Sequence, residues 1–310
     1  MKKLPLYRFS VKGIDGQPRL PKSFKPSRIE QRGRNFEVLV DEREAKYLRE
    51  RSYAQEIPLP RDHLSVSQIN MFKNCPRQYY YAYVMGMRRK PNSNLTFGSA
   101  FHSTAEVNYK QKIESYEDLP VGDVQEIWVN EFDKRIPETV FEEGEKPGAI
   151  KDEGVAAVEV YMKTFAPKIQ PFMVEAEIDV PLEDVEFSIR CRVDVVDIQS
   201  GIHDTKTSSK TPAFDLAEDD FQLTSYDIAH RHILGIPPTK LYLDYLVRTK
   251  IPKVVALESD PRTDKQIDEA LKEFSQVARA IRDGAYYRCS PRNSLCNPRY
   301  CGFYPICRGE

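Results

Sequence analysis

The stretch of sequence that decides the fold is residues 190–207, which read RCRVDVVDIQSGIHDTKT. Valine and isoleucine are dense before the turn at 199–201 and Ile202 follows it, which predicts two strands joined by a tight turn. Side chains alternate between the two faces of a strand, so Asp204 and Lys206 share one face, and Asp194 faces away from its valine neighbours. We therefore expect two carboxylates and one lysine to converge on one side of a hairpin.

The sequence on either side of this hairpin predicts an α/β core. A capping box at Ser65–Gln68 opens the first strong helix, and a second capping box at Thr263–Gln266 opens the last long helix. Further helices are predicted at residues 97–112 and 216–234, with a helical insertion at about 113–170. Predicted strands cover residues 172–180, 186–198, 201–207, 240–248 and 253–258.

The first 60 residues differ in composition from the rest and are rich in proline, lysine and arginine. Residues 36–40 predict a short strand and residues 41–51 a short charged helix. We interpret residues 1–60 as an appendage or partly ordered arm, and residues 61–310 as the main domain.

The composition is that of a soluble globular protein, with 40% apolar residues, 30% charged residues and a net charge of −1. No segment approaches the roughly 20 consecutive apolar residues of a membrane span. The basic start Met-Lys-Lys has no apolar segment after it, so we expect no secretory signal and a cytoplasmic or nucleoid-associated location. A near-neutral sum is compatible with an acidic catalytic site beside a basic DNA groove.

Two carboxylates beside a lysine have a specific chemical use. Hard oxygen ligands hold Mg²⁺ or Mn²⁺, one or two ions, and such an ion activates water and neutralises charge that builds on a phosphate. A neighbouring lysine can position or deprotonate the attacking water, and like-charge repulsion from the ion favours its neutral form. The alternative is a solvated strand face that happens to carry Asp and Lys. The valines around Asp194 favour the functional interpretation, because unpaired charge is costly in a buried strand.

Four further segments accompany the Asp194 strand in a fixed order. They are Leu64–Ile69 followed by Cys75-Pro76 and Tyr79-Tyr80-Tyr81, then Gly98-x-x-x-His102, then Asp204-Thr205-Lys206-Thr207, and last Gln222-x-x-x-Tyr226. Together the five resemble the RecB-like PD-(D/E)XK nucleases, which include AddB-type iron–sulfur nuclease domains, CRISPR-associated RecB-like exonucleases and phage exonucleases. The resemblance extends from about Leu64 to Cys307. It implies a restriction-endonuclease-like core, in which helices flank a mixed central sheet, with a helical insertion and a Cys-rich C-terminal clasp at 286–310.

The resemblance also implies roles for individual residues. The implied metal ligands are His102, Asp194, Asp204 and the Thr205 carbonyl. Lys206 would act on the water, and Gln222 and Tyr226, four apart on a helix, would line the DNA-facing side of the site. Glu175 or Glu177 could add a carboxylate, although an exposed strand face explains both equally well. The family usually has glycine where this chain has Cys191.

Six cysteines occur in the chain, and four of them lie in the last 22 residues. In a chain without a secretion signal this clustering favours ligation over disulfides. The resemblance implies a 4Fe-4S cluster of structural role, held by Cys75, Cys296, Cys301 and Cys307, although the family's first pair commonly has two intervening residues and not four. The competing interpretation is a zinc site formed by Cys289 with the three C-terminal cysteines.

Arginines and tyrosines interleave through the same tail, a composition that suits single-stranded nucleic acid or, alternatively, a cover over the cluster.

We predict a metal-dependent deoxyribonuclease, an exonuclease that acts on DNA ends or single strands in recombination, repair or replication, inside a phage host if phage-encoded. The chain has no Gly-x-x-x-x-Gly-Lys-Ser/Thr loop, so a helicase or recombination partner would be a separate protein. Two rival hypotheses are a non-catalytic nucleic-acid-binding module that keeps the cluster as a scaffold and a zinc-stapled adaptor built on the tail.

Overall fold

The chain divides into two units in the computed structural model, which describes residues 7–14, 17–26, 28–32, 35–57 and 62–309. The first unit combines Met1–Arg61, Met71–Arg88 and Ala280–Glu310, and the second combines Asp62–Asn70 and Arg89–Arg279. The cysteine tail belongs to the first unit, and the predicted catalytic hairpin belongs to the second.

A small antiparallel sheet with one helix forms the N-terminal part of the first unit. Its strands are β1 (Tyr7–Ile14), β2 (Gln17–Pro18), β3 (Arg28–Arg32), β4 (Asn35–Val40) and β5 (Ala54–Ile57), and its helix is α1 (Glu42–Arg49). The sheet order is β2-β1-β4-β3, with β5 paired to β1. Phe9, Val11, Phe36, Val38 and Leu48 are buried in its own apolar core. The strand predicted at 36–40 and the helix predicted at 41–51 are confirmed, and the sequence pattern missed the other strands.

The rest of the first unit joins residues 71–88 to the C-terminal tail. Helix α2 (Val66–Asn74) begins in the second unit, and helix α3 (Pro76–Tyr79) continues into a π-helical turn at Tyr80–Val84. The ring centroids of Tyr79 and Tyr286 lie 6.4 Å apart, and those of Tyr81 and Phe303 lie 5.6 Å apart. The Arg77 N–H donates to the Tyr287 carbonyl at 2.9 Å. Cys75 is thereby held beside the tail, in which a short helix covers Tyr304–Arg308.

A six-stranded mixed sheet is the centre of the second unit. Its strands are β6 (His63–Leu64), β7 (Pro171–Pro181), β8 (Ser188–Asp197), β9 (Gly201–Ser208), β10 (Lys240–Val247) and β11 (Lys253–Ser259). The order is β11-β10-β9-β8-β6, with β7 paired to β8. Strand β9 is antiparallel to β8 and parallel to β10. The predicted hairpin is therefore in the middle of the sheet, where Val195 and Val196 are buried.

Helices flank this sheet, as predicted for the PD-(D/E)XK fold. They are α4 (Ser93–Ser115), α5 (Val121–Arg135), α6 (Pro147–Thr164), α7 (Phe221–Leu234) and α8 (Asp264–Arg282). Helices α4 to α6 share one apolar core with Val195 and Leu246 of the sheet. Phe221 of α7 stacks on Phe274 of α8 with their centroids 5.1 Å apart. Among the described residues, no helix is both long and apolar enough to cross a membrane.

Side-chain caps set helix boundaries that the apolar pattern misplaced. Asn92 accepts from the Leu95 N–H, so α4 begins four residues before the predicted start at 97. Asp220 accepts from the Leu223 N–H, so α7 begins at Phe221, and residues 216–218 form part of a turn in place of the predicted helix. Both predicted capping boxes are confirmed: in each, the backbone N–H of Ser65 or Thr263 donates to the glutamine side chain three residues later.

Candidate active site

Asp194 is fixed by the hairpin that carries it. Its Oδ2 accepts a hydrogen bond from the Thr205 N–H at 2.9 Å, which ties strand β8 to strand β9. Burial raises the pKa of Asp194 to about 7, against the lowering effect of that hydrogen bond. A divalent cation would favour the charged form of Asp194, because its positive charge would stabilise the carboxylate in place of the water that burial removes.

His102 reaches Asp194 from helix α4. His102 Nδ1 lies 3.3 Å from Asp194 Oδ2, and burial lowers the pKa of His102, so the ring is neutral and able to bind a metal. Gly98, one turn earlier, lies close to strand β9: a Cβ there would be 3.3 Å from Thr207 Oγ1, a tight contact that the threonine side chain would have to relieve by a small shift. The spacing Gly98-x-x-x-His102 thus has a packing reason. A hydrogen bond between the His102 ring and the Thr205 backbone also acts on this pKa, which locates Thr205 beside the ring.

Glu175 completes a group of three possible metal ligands. One ligand atom from each of His102, Glu175 and Asp194 lies within 4.8 Å of the others. Glu175 has a φ of 51°, in the left-handed region that non-glycine residues rarely adopt, and such strain is frequent at functional sites. Burial raises its pKa, against the lowering effect of Arg192. The sequence suggested Glu175 and Glu177 equally, and the structure brings Glu175 to the histidine and leaves Glu177 exposed.

Asp204 lies deeper than the other carboxylates and outside that group of three. It is fully buried, and its Oδ1 accepts no hydrogen bond from the described residues. Burial raises its pKa to about 7, while Lys206 opposes the shift. An orphaned carboxylate oxygen is expensive unless a cation satisfies it. Asp194 and His102 both act electrostatically on Asp204, so the site is one continuous cluster.

Lys206 is the cation nearest to Asp204, with its Nζ 2.6 Å from Asp204 Oδ2. Burial alone would lower the pKa of Lys206, but the Asp204 carboxylate outweighs it and raises the pKa above its ordinary value. Without a metal ion the lysine is therefore protonated.

A chain of hydrogen bonds leads from Lys206 to helix α7. Lys206 Nζ donates to Gln222 Oε1 at 2.9 Å, and Gln222 Nε2 donates to the Tyr226 hydroxyl at 2.6 Å. The Tyr226 hydroxyl donates in turn to the Arg192 carbonyl at 2.6 Å. Tyr226 is almost fully buried, so its observed contacts are with Gln222 and strand β8.

One arginine lies at the solvent-exposed edge of this cluster of carboxylates. Arg192 is exposed, forms an ion pair with Glu175, and lies 3.5 Å from Glu106 Oε2. The residues that line the adjoining pocket are His102, Ala105, Glu106, Tyr109, Val174, Glu175, Asp194, Val195 and Thr205. A negatively charged pocket with one cation at its edge is suited to hold a metal ion inside and an anion outside.

Five cysteines of the first unit line a second pocket. They are Cys75, Cys289, Cys296, Cys301 and Cys307, and three arginines, Arg77, Arg288 and Arg308, share the lining. Cys75 precedes α3, and burial acts to raise its pKa, but hydrogen bonds that include the Cys289 and Gln78 backbone outweigh burial and lower it. Cys191 lies in the second unit, buried, with its Sγ donating to the Ser225 carbonyl.

Comparison with known proteins gives one family match that covers most of the chain. A model of the PD-(D/E)XK nuclease superfamily matches residues 63–308. The gene 69 protein of Mycobacterium phage L5 is 35% identical over 72 residues, a stretch that covers 23% of this chain and only 24% of the phage protein. A crystal structure of a candidate exonuclease from Eubacterium rectale has a TM-score of 0.52 and 15% identity, over 74% of this chain and 85% of that one. At this identity the likeness is one of fold alone.

Proposed function

Because the chain belongs to the PD-(D/E)XK nuclease superfamily, we propose that it is a metal-dependent deoxyribonuclease that hydrolyses phosphodiester bonds. The observation that carries the proposal is the meeting of His102, Glu175 and Asp194 within 4.8 Å, next to a buried Asp204–Lys206 pair. A non-catalytic module would have no need to keep three carboxylates and a lysine together in a low-dielectric site, where their mutual burial is costly.

The residues present fit Mg²⁺ or Mn²⁺. Carboxylate oxygens with one imidazole are acceptable to Mn²⁺, and carboxylates with water suit Mg²⁺. The proposed ligands are His102, Asp194, Asp204 and the Thr205 carbonyl, joined by Glu175. A cation bound there supplies charge neutralisation at the phosphate and lowers the pKa of nearby water.

The chain's own residues then divide the remaining work. Lys206, held by Gln222, would in its protonated form donate an N–H to the water that attacks the phosphorus and so position it. With a cation bound nearby, its neutral form would be favoured and could take the proton that this water loses. Arg192, which pairs with Glu175 and Glu106 at the edge of the pocket, would contact a phosphate oxygen if a bound cation drew Glu175 away. Tyr226 holds Gln222 in place from its buried position, and the Gln222 side chain borders the strand of DNA.

We further propose that the enzyme is an exonuclease on DNA ends or single strands, working in recombination, repair or replication with a separate helicase or recombination protein. Support comes from the fold it shares with a protein named as a candidate exonuclease.

The test is cleavage of end-labelled and circular DNA, single- and double-stranded, with Mg²⁺ or Mn²⁺. Wild type should degrade linear DNA and leave circles intact. Lys206→Met should cleave about 10²- to 10⁴-fold more slowly than wild type, which is the usual contribution of a positioned proton-transfer group. Lys210→Met, which removes an exposed lysine of the following loop, is the matched control and should cleave normally. No cleavage by wild type, or equal cleavage by the Lys206 variant, would refute the proposal.

For the cysteine pocket we propose a 4Fe-4S cluster held by Cys75, Cys296, Cys301 and Cys307, with a structural role. The donor set fits, because thiolates hold such clusters, and backbone N–H groups and three arginines surround the pocket and offset its negative charge. Zinc fits less well. A tetrahedral Zn²⁺ with four thiolates places all its sulfurs ~3.8 Å apart, from a Zn–S bond of about 2.3 Å. Among the described residues, no three cysteine sulfurs lie within 4.8 Å of one another.

Anaerobic purification distinguishes the two metals. A brown protein with iron and sulfide is expected, and Cys301→Ser should lose both and unfold at a lower temperature. Cys191→Ala is the matched control, because Cys191 is buried in the second unit, and should keep the iron. A colourless wild type with one zinc would favour the zinc site.

A further inference from the structure

The charge of this chain is distributed unevenly. Residues 1–60 contain 14 of the 46 Lys and Arg but 8 of the 47 Asp and Glu, so their net charge is +6, and that of the other 250 residues is −7. The near-zero net charge of the whole chain conceals a basic N-terminal segment and an acidic remainder. A basic module of this kind attracts a polyanion regardless of its sequence.

The described part of this module carries a built arginine–tyrosine cluster. The Arg19 guanidinium lies 4.4 Å from the ring centroid of Tyr53, and that of Arg51 lies 4.3 Å from the ring centroid of Tyr47. Tyr47 hydrogen-bonds to both Arg51 and Tyr53, so the four side chains are continuous. A guanidinium has five N–H donors, so Arg51, which hydrogen-bonds to Tyr47, and Arg19, which lies over Tyr53, each have further donors with which to bind phosphate.

Lysines extend this cluster along helix α1. The Phe24 and Tyr47 ring centroids lie 5.3 Å apart, and the Lys25 backbone N–H donates to Glu44 Oε1 at 2.7 Å, so the segment that carries Lys22 and Lys25 is fixed beside α1. Glu44 itself is buried.

Two basic side chains of α1 lie on the exposed surface beside that segment. Arg43 and Lys46 are three apart on the helix, so they share one side of it, and both are exposed. We call the whole surface the basic face, and its members are Arg19, Lys22, Lys25, Arg43, Lys46 and Arg51.

The charges of this face are available to a partner. In the part of the chain that the structure describes, no carboxylate forms an ion pair with Lys22, Lys25, Arg43 or Lys46. The guanidiniums already cover the tyrosine rings, so the face offers no free ring on which a base could stack. What it presents is a group of cations, which attract backbone phosphates.

We propose that the basic face is a DNA-binding site that binds backbone phosphates without a metal ion and without sequence specificity. This inference rests on the proposed function only for the choice of DNA as the polyanion. Binding there would hold DNA on the enzyme while the nuclease site releases one product and takes the next phosphodiester. Loss of the face should therefore raise the KM for long DNA and leave kcat at saturation unchanged.

The test measures binding of fluorescein-labelled duplex and single-stranded DNA to the full chain in EDTA, over a range of KCl concentrations. The variant is Lys22→Gln/Lys25→Gln/Arg43→Gln/Lys46→Gln, in which all four replaced residues are exposed. The matched control is Lys168→Gln/Lys250→Gln/Lys253→Gln/Lys272→Gln, four exposed lysines of the second unit with the same charge change.

The basic-face variant should bind duplex DNA at least about tenfold more weakly, and the slope of log K against log salt should fall by about 0.9 for each phosphate that the variant no longer neutralises. The control should match wild type. Equal weakening in both would mean diffuse net charge and no site, and unchanged binding by the variant would likewise overturn the proposal. The proposal would also be overturned if the variant bound DNA as wild type does but bound phosphatidylglycerol vesicles more weakly. That result would assign the basic face to a membrane surface. A wild type that binds through this face but never cleaves would refute the nuclease proposal and leave this one standing.

Discussion

Gln222 Oε1 lies 2.9 Å from Lys206 Nζ, and this single hydrogen bond joins helix α7 to the strand that carries the lysine. Lys206 also contacts Asp204 at 2.6 Å, so its position depends on one partner from its own strand and one from the helix. When a cation binds Asp204, the hydrogen bond to Gln222 is the contact of Lys206 that remains. We therefore expect Gln222 to contribute most to the position of Lys206 when the metal ion is bound.

Replacement of Gln222 by leucine should reveal this dependence. Without the amide oxygen the ammonium group is free to move by about 1 Å, an error that can cost about 10²-fold in rate. We expect kcat to fall by that order, with little change in the affinity for Mn²⁺. Gln222→Glu, which keeps an acceptor at the same position, is the control and should retain more activity than the leucine variant. Equal rates for Gln222→Leu and wild type would refute the positioning role of Gln222.

Metal affinity should depend steeply on pH. Burial raises the pKa of Asp194 and of Asp204 to about 7 in the metal-free protein, so each must lose a proton before it can bind a cation. Between about pH 6 and about pH 8 the fraction with both carboxylates charged rises about 10²-fold, and the Mn²⁺ association constant should rise with it. Isothermal titration measures this directly. Glu177→Gln, on the exposed side of β7, is the control and should follow wild type, and a flat pH profile would contradict the prediction.

A buried ion network behind the site should control stability. His203 Nδ1 lies 2.8 Å from Asp244 Oδ2, and His203 Nε2 lies 3.3 Å from Asp197 Oδ2. Burial acts to lower the pKa of His203, but the two carboxylates outweigh it and raise the pKa to about 9. A histidine pKa that is raised on folding stabilises fully below its unfolded value and loses that contribution as pH rises through 9.

His203→Gln leaves Asp244 buried without its cation, so we expect a loss of about 3 kcal/mol in the free energy of unfolding. The loss should be largest near about pH 6, where the imidazole is charged in both states, and should shrink near about pH 10. Urea unfolding at the two pH values measures it. A difference that grows with pH would contradict the assigned protonation.

The sequence predicted the parts of this protein that local patterns determine. The hairpin at 190–207, its mixed sheet and the two capping boxes follow from alternation and from side chains that bond to nearby backbone. The N-terminal sheet was missed because most of its strands have six residues or fewer, carry charged residues, and pair across long separations, as between Phe9 and Val38. Glu175 was left undecided because its left-handed backbone, and hence its approach to His102, leaves no trace in a period-two pattern.

Arg262 was not predicted at all, although it holds the N-terminus of helix α7. Its guanidinium is buried and donates to Thr224 Oγ1, Ser259 Oγ and the Ala217 carbonyl. Its backbone N–H donates to Asp227 Oδ2. A lone arginine in a coil carries no sequence signal of such a role, because its partners lie in helix α7, in strand β11 and in the turn at Ala217.

Arg262→Leu should therefore act on the site from a distance. Removal of the guanidinium leaves several buried acceptors without donors, each costing about 1 to 3 kcal/mol, so the free energy of unfolding should fall by at least about 3 kcal/mol. Where the variant remains folded, Gln222 loses its fixed position and kcat should fall while Mn²⁺ affinity stays near the wild-type value. Arg231→Leu, which removes an ion pair to Asp227 but replaces a partly exposed residue, is the control and should cost less stability. Similar stability and kcat in the two variants would mean that the buried guanidinium does not position helix α7.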